Sequence, residues 1–169
     1  MANDKPSNIR AAEIGDLEAM TALYNYYVEN TAITFDTVPF TPEARKPWFA
    51  QFSQQGPHRL IVAESGGQLA GYASSSKHRA KPAYGTSVEM TIYLDQRFSG
   101  AGLGRKLYEA LFSALSGEDI RSAYAGVALP NDASVAFHEA MGFTKIGTFH
   151  EVGRKFGRYY DVMWFEKRF

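Results

Sequence analysis

The chain has 169 residues, 45% of them hydrophobic, and its 18 lysines and arginines balance 18 aspartates and glutamates. This composition suits one domain, residues 1–169, with its own core, and zero net charge argues against nucleic acid as the main partner. Cysteine is absent, which excludes thiol catalysis, zinc–thiolate sites and disulfides together. The first ten residues are polar and lack the apolar centre of a secretory signal. No apolar run approaches the ~18 residues of a membrane span, so a cytoplasmic protein without a membrane partner is expected.

In chain order, residues 9–12 read as a short strand, and Asp16 is placed to cap a helix in which Leu17, Met20, Leu23, Tyr24 and Tyr27 recur at helical spacing up to Asn30. Thr41, Pro42 and Glu43 open a second helix carrying Trp48, Phe49 and Phe52, with Gly56 and Pro57 as its stop. Residues 59–64 and 68–75 form a hairpin around Ser65-Gly66-Gly67. Over 87–94 the residues alternate, with Val88, Met90, Ile92 and Leu94 on one face and Glu89, Thr91 and Tyr93 on the other. Glycines 100, 102 and 104 lead into a helix carrying Leu103, Leu107, Leu111 and Leu115. A strand over 121–129, a helix over 131–141 and strands over 144–152 and 159–167 complete an α/β (α+β) chain, a mixed sheet covered by helices.

Two features carry chemistry. The run Arg97-Phe98-Ser99-Gly100-Ala101-Gly102-Leu103-Gly104 lies between a strand and a helix, where small residues let backbone amides approach a phosphate; a plain glycine-rich turn is the alternative. It fits neither a dinucleotide fingerprint nor a P-loop, because Arg105 and Lys106 stand where those motifs need glycine or Lys-Ser/Thr. Glu89 is the second feature, an acid in a strand whose other face is apolar. It is either a solvated surface carboxylate or, held in a cleft, a base with a raised pKa. Its strand feeds directly into the glycine loop. Asn131 and Ser134 fit a helix cap, and the histidines at 58, 78, 138 and 150 show no metal-ligand spacing, so no metal is expected.

The ordered set Val88-Glu89-Met90-Thr91-Ile92-Tyr93-Leu94, the glycine loop, Leu129-Pro130-Asn131-Asp132-Ala133-Ser134, His138-Glu139-Ala140-Met141-Gly142-Phe143 and Lys155-Phe156-Gly157-Arg158 with Asp161-Val162 resembles the GCN5-related N-acetyltransferase (GNAT) superfamily. It resembles in particular the phosphinothricin and methionine sulfoximine acetyltransferase branch, over nearly the whole chain. The resemblance implies a GNAT fold with a splayed central sheet, and direct acetyl transfer from acetyl-CoA to the α-amine of a small amino acid with Glu89 as general base.

By the same resemblance Ile92, Tyr93 and Leu94 would meet the pantetheine arm through their backbone. Arg97, Gly100, Ala101, Gly102, Leu103, Gly104 and Arg105 would take the pyrophosphate, and Asn131 and Ser134 would close the opposite wall. Substrate contacts would come from Phe35, Arg79, Lys81, Met90 and Thr91 around Glu89, with Arg79 on the substrate carboxylate. The branch also implies a homodimer. Two departures stand out: Lys81 occupies a position where phosphinothricin enzymes place arginine, and Tyr159 one where relatives often carry tryptophan. An acyl-CoA-binding regulatory module and a peptide or protein N-terminal acetyltransferase are the alternatives on the same fold.

Overall fold

A computed structural model describes residues 7–169. The polar start of the chain, discussed above for targeting, falls largely outside them. The elements are β1 (Ser7–Ala11), α1 (Leu17–Asn30), α2 (Pro42–Phe49), β2 (Arg59–Ser65), β3 (Gln68–Lys77), β4 (Ser87–Leu94), α3 (Leu103–Leu115), β5 (Ser122–Ala128), α4 (Asp132–Ala140), β6 (Thr144–Lys155) and β7 (Arg158–Arg168). The seven strands form one mixed sheet in the order β1-β2-β3-β4-β5-β7-β6, parallel only between β4 and β5. No described helix is long and apolar enough to cross a membrane.

Strand alternation sends side chains to two separately covered faces. Ile61, Ala73, Val88 and Met90 join Leu103, Leu107, Leu111 and Leu115 of α3 in the larger core, with Val135 and Phe137 of α4 packed against it. Leu60, Val62 and Tyr72 point the other way, toward Met20 and Leu23 of α1 and Trp48 and Phe49 of α2. Glu89, Thr91 and Tyr93 therefore face a covered side of the sheet, not open solvent.

Several boundaries differ from those expected. Helix α2 begins as read, with Thr41 Oγ1 accepting the Ala44 amide at 3.2 Å, but stops at Phe49 well before Gly56. Asp16 does not cap α1 with its side chain: its carboxylate accepts the Glu13 amide at 2.7 Å and pairs with Arg10 at 2.8 Å. Strand β6 runs on to Lys155, with a register break between Phe149 and Gly153 that the Asp161 carboxylate spans by accepting the Glu151 amide at 2.7 Å.

The feature that positions the site is the divergence of β4 and β5. They pair only at Ser87, Val88 and Glu89. Beyond that point β4 remains paired with β3 up to Leu94, and β5 with β7 up to Ala128. The facing edges of the two strands separate, and the gap is lined by Met90, Ile92, Gly126, Val127, Asn131 and Ser134 among others.

Candidate active site

Glu89 sits where the strands part. Its side chain is 33% exposed, and burial pushes its carboxyl above the usual carboxylate range; the nearby His78, and more weakly Arg79, pull it back down. His78 Nδ1 lies 3.6 Å from Glu89 Oε2, beyond hydrogen-bond length, and the ring stacks on Tyr124 with centroids 4.5 Å apart. Sequence reasoning passed over His78 because it tested histidines only for metal spacing. Its place follows only from the strand register: Ser76 pairs with Glu89, and two residues further along the chain is His78.

Three cavities are lined by neighbours of Glu89 in the sheet. One of about 60 Å³ is the β4–β5 gap itself. A second, about 210 Å³, lies under α1 and α2 and includes Arg45, Tyr72, Ser74, Ser76, Thr91 and Tyr93. Thr91 and Tyr93 line both, so the gap and this pocket share a wall. The third, about 250 Å³, is bounded by His78, Arg79, Tyr124, Phe149 and Trp164. Ser76 and Tyr124, the two residues paired with Glu89, line the second and the third respectively.

The residues expected to touch the substrate are not all side-chain contacts. Arg79 lines the third cavity, and Thr91 the second. Met90 is buried in the α3-side core, which leaves only its backbone for the gap. Lys81 is exposed at the start of the turn Pro82–Tyr84 and forms no ion pair among the described residues. Phe35 packs against β6: a Cβ on Gly153 would come within 2.1 Å of its ring. Its loop is held further by the buried Lys155, whose Nζ donates to the Thr34 carbonyl at 2.8 Å. Tyr159 is 60% exposed, outside the cavities described.

The glycine loop leaves the end of β4 and turns into α3 through Gly100 and Gly102, both at positive φ, 80° and 68°. Because Lys106 is the first residue whose amide bonds back, to the Gly102 carbonyl at 3.2 Å, the amides of Leu103, Gly104 and Arg105 open the helix without intrahelical acceptors. The Leu103 side chain is in the core, and Gly104 is pressed against the Phe137 ring, where a Cβ would sit at 3.1 Å. These two can therefore offer only backbone, whereas Gly100, Ala101, Gly102 and Arg105 are exposed. Arg97 is already engaged by Asp95, Nη2 to Oδ2 at 2.7 Å, and the Leu94 carbonyl accepts the Tyr27 hydroxyl.

Across the gap, Asn131 caps α4 by accepting the Ser134 amide at 3.1 Å, which leaves its Nδ2 uncommitted. His138 is buried and held neutral-leaning, its pKa lowered by burial. Its Nδ1 faces the Ser134 carbonyl at 2.8 Å and so carries the hydrogen, and Nε2 accepts the Tyr108 hydroxyl at 3.0 Å.

The site thus combines an opened parallel pair, a helix-opening glycine loop and a half-buried glutamate. The acetyltransferase (GNAT) domain family matches residues 9–164. The chain belongs to that family. It is 54% identical over 154 residues to the phosphinothricin N-acetyltransferase of Streptomyces coelicolor, covering 90% of both chains. It is 31% identical over 156 residues to the L-methionine sulfoximine/L-methionine sulfone acetyltransferase of Pseudomonas paraeruginosa, covering 92% of this chain and 91% of that one. The crystal structure of a GNAT superfamily phosphinothricin acetyltransferase from Sinorhizobium meliloti in complex with AcCoA superimposes with a TM-score of 0.89 at 27% identity, over 96% of this chain and 88% of that one. The GNAT chain described here is thus an acetyltransferase with the mixed, helix-flanked sheet of its family.

Proposed function

We propose that this GNAT enzyme transfers acetyl directly from acetyl-CoA to the α-amine of a small amino acid or analogue, with Glu89 as general base. The observation that carries this reading is the shared wall of Thr91 and Tyr93, which joins the β4–β5 gap to a pocket of about 210 Å³ two residues along the strand from Glu89. When bound, acetyl-CoA would supply a thioester carbonyl for the amine to attack, the C–N bond forming as the C–S bond breaks and CoA leaves as the thiol. The unpaired edge of β4 beyond Glu89, the free amides opening α3 and the Asn131 amide group are the residues suited to hold it. Glu89 accepts the ammonium proton, directly or through water, and its raised pKa brings its basicity closer to that task.

The α-carboxylate is assigned to the third cavity. Arg79 borders it, and the buried indole Nε1 of Trp164, which borders it too, has no hydrogen-bond partner among the described residues. A guanidinium and a lone N–H donor suit a carboxylate. A homodimer is proposed as well: Ile146, Phe149 and Val152 on β6 are exposed by 53%, 51% and 55%, and the first two border the same cavity.

The deciding experiment is acetyl-CoA turnover with free amino acids against their carboxamides, in the protein and in Arg79→Lys. Coupled losses, with amidation hurting Arg79→Lys far less, support the assignment; fully additive losses would separate Arg79 from the carboxylate. Efficient turnover of amides and peptides would move the enzyme to the peptide-acetylating class. Sedimentation of the protein and of Phe149→Asp tests the dimer.

A further inference from the structure

The pocket under α1 and α2 contains a charge that the protein does not neutralise. Arg45 is 5% exposed, and its guanidinium lies 3.9 Å from the Trp48 ring centroid and 4.5 Å from that of Tyr24. Its only hydrogen bond among the described residues is from Nη1 to the Met20 carbonyl at 3.4 Å, and no carboxylate pairs with it. Two aromatic faces offset part of the cost of burying this cation, but four of its five N–H groups lack an acceptor. Tyr72 borders the same cavity at 1% exposure, close enough to Arg45 for the guanidinium to act on its hydroxyl, which makes no hydrogen bond of normal geometry among the described residues. Of the other hydroxyls lining this space, Ser74 Oγ and Thr91 Oγ1 bond each other at 2.9 Å, and Ser76 Oγ donates to the Glu89 carbonyl at 3.3 Å. Asp36 borders the cavity from an exposed position, with its carboxylate accepting the Tyr24 hydroxyl.

A buried guanidinium and a buried orphan hydroxyl on one small cavity amount to a donor set without an acceptor. We infer that Arg45 and Tyr72 form a subsite for an oxyanionic group at the far end of the substrate side chain, a phosphinate or carboxylate. The inference rests on the amino-acid acetylation proposed above. If the α-carboxylate lies beside Arg79 and Trp164 and the amine beside Glu89, the side chain extends to the opposite flank, toward this pocket.

The test compares kcat/KM for phosphinothricin with that for 2-aminohexanoate, an amino acid with no side-chain oxygen, in the protein, in Tyr72→Phe and in Arg45→Met. The ratio should favour phosphinothricin in the unmodified protein and fall roughly tenfold to a hundredfold in each variant, chiefly through KM, as for a lost hydrogen bond to a charged group. Tyr72→Phe removes a single oxygen and keeps the test decisive if Arg45→Met does not fold. A ratio unchanged in Tyr72→Phe, or an unmodified protein that does not discriminate, overturns the inference while leaving the acetylation reading in place. Turnover of no free amino acid at all would instead overturn that reading, and the subsite with it.

Discussion

His78 Nδ1 stands 3.6 Å from Glu89 Oε2 while its ring lies flat against Tyr124. The stacking fixes the imidazole beside the carboxylate. Burial raises the Glu89 pKa, and His78 opposes it, with a smaller opposing pull from Arg79. His78→Leu should therefore shift the acidic limb of the kcat/KM profile to higher pH. A limb that stays in place would show that the two groups are electrostatically independent.

Glu89→Gln keeps the shape of the side chain and removes its basicity, so the rate should drop by roughly 10²–10⁴-fold, the usual worth of a general base. Stability should move the other way. A carboxyl with a raised pKa favours the folded state when protonated, and that contribution is lost as pH rises through its folded pKa. At neutral pH the Gln variant should consequently melt above the unmodified protein, with the gap closing as pH falls through the raised folded pKa and gone below about pH 4, the ordinary carboxylate range. Thermal melts across pH check this independently of turnover.

Gly102 adopts φ 68°, and nothing lies within 4 Å of a Cβ built there. The penalty of Gly102→Val is thus conformational, about 1–2 kcal/mol for a left-handed L-residue, and is felt where the loop amides must stay aligned. Acetyl-CoA affinity should fall much more than fold stability does. Unchanged affinity by calorimetric titration would remove the loop from the cofactor site.

Gly153→Ala should act at a distance from the reacting atoms. Its Cβ would meet the Phe35 ring at 2.1 Å, so the ring must move, at the ~1–3 kcal/mol typical of overpacking. Displacing Phe35 shifts the loop that carries Asp36 to the rim of the Arg45 pocket. KM for the amino acid should rise while acetyl-CoA affinity holds, and equal losses for both ligands would mark a general unfolding effect.

Much of this fold was legible in the sequence because its periodicities are clean. The alternation over β4 placed Glu89, Thr91 and Tyr93 on one side correctly, and the leucine spacing gave the buried stripe of α3. His78 was missed because its role depends on the register between β3 and β4, and on β3 continuing to Lys77. Arg45 was missed for a different reason: on a short helix a lone arginine reads as solvated, and only the packing of Tyr24 and Trp48 around it makes it a buried cation. The motif from Lys155 to Asp161 was recognised as a family mark, but its physical duties appear only in three dimensions. Lys155 ties down the Phe35 loop, Gly157 takes a positive φ of 73° in the turn, and Asp161 closes the β6 irregularity.

The early end of β4–β5 pairing also changes how many free rims the sheet has. An ordinary open sheet exposes two lines of unpaired backbone groups, on its outermost strands. Here β4 after Glu89 and the second half of β5 add two more inside the molecule. Outer rims invite pairing with other chains. The inner ones stand behind Asn131, Ser134 and His138, with α1-side Tyr93 on the other flank. A neighbouring polypeptide would find them hard to reach, while a slender, amide-bearing arm could take up the missing strand-like bonds, so the protein can keep adhesive backbone available to a small molecule without becoming prone to self-association.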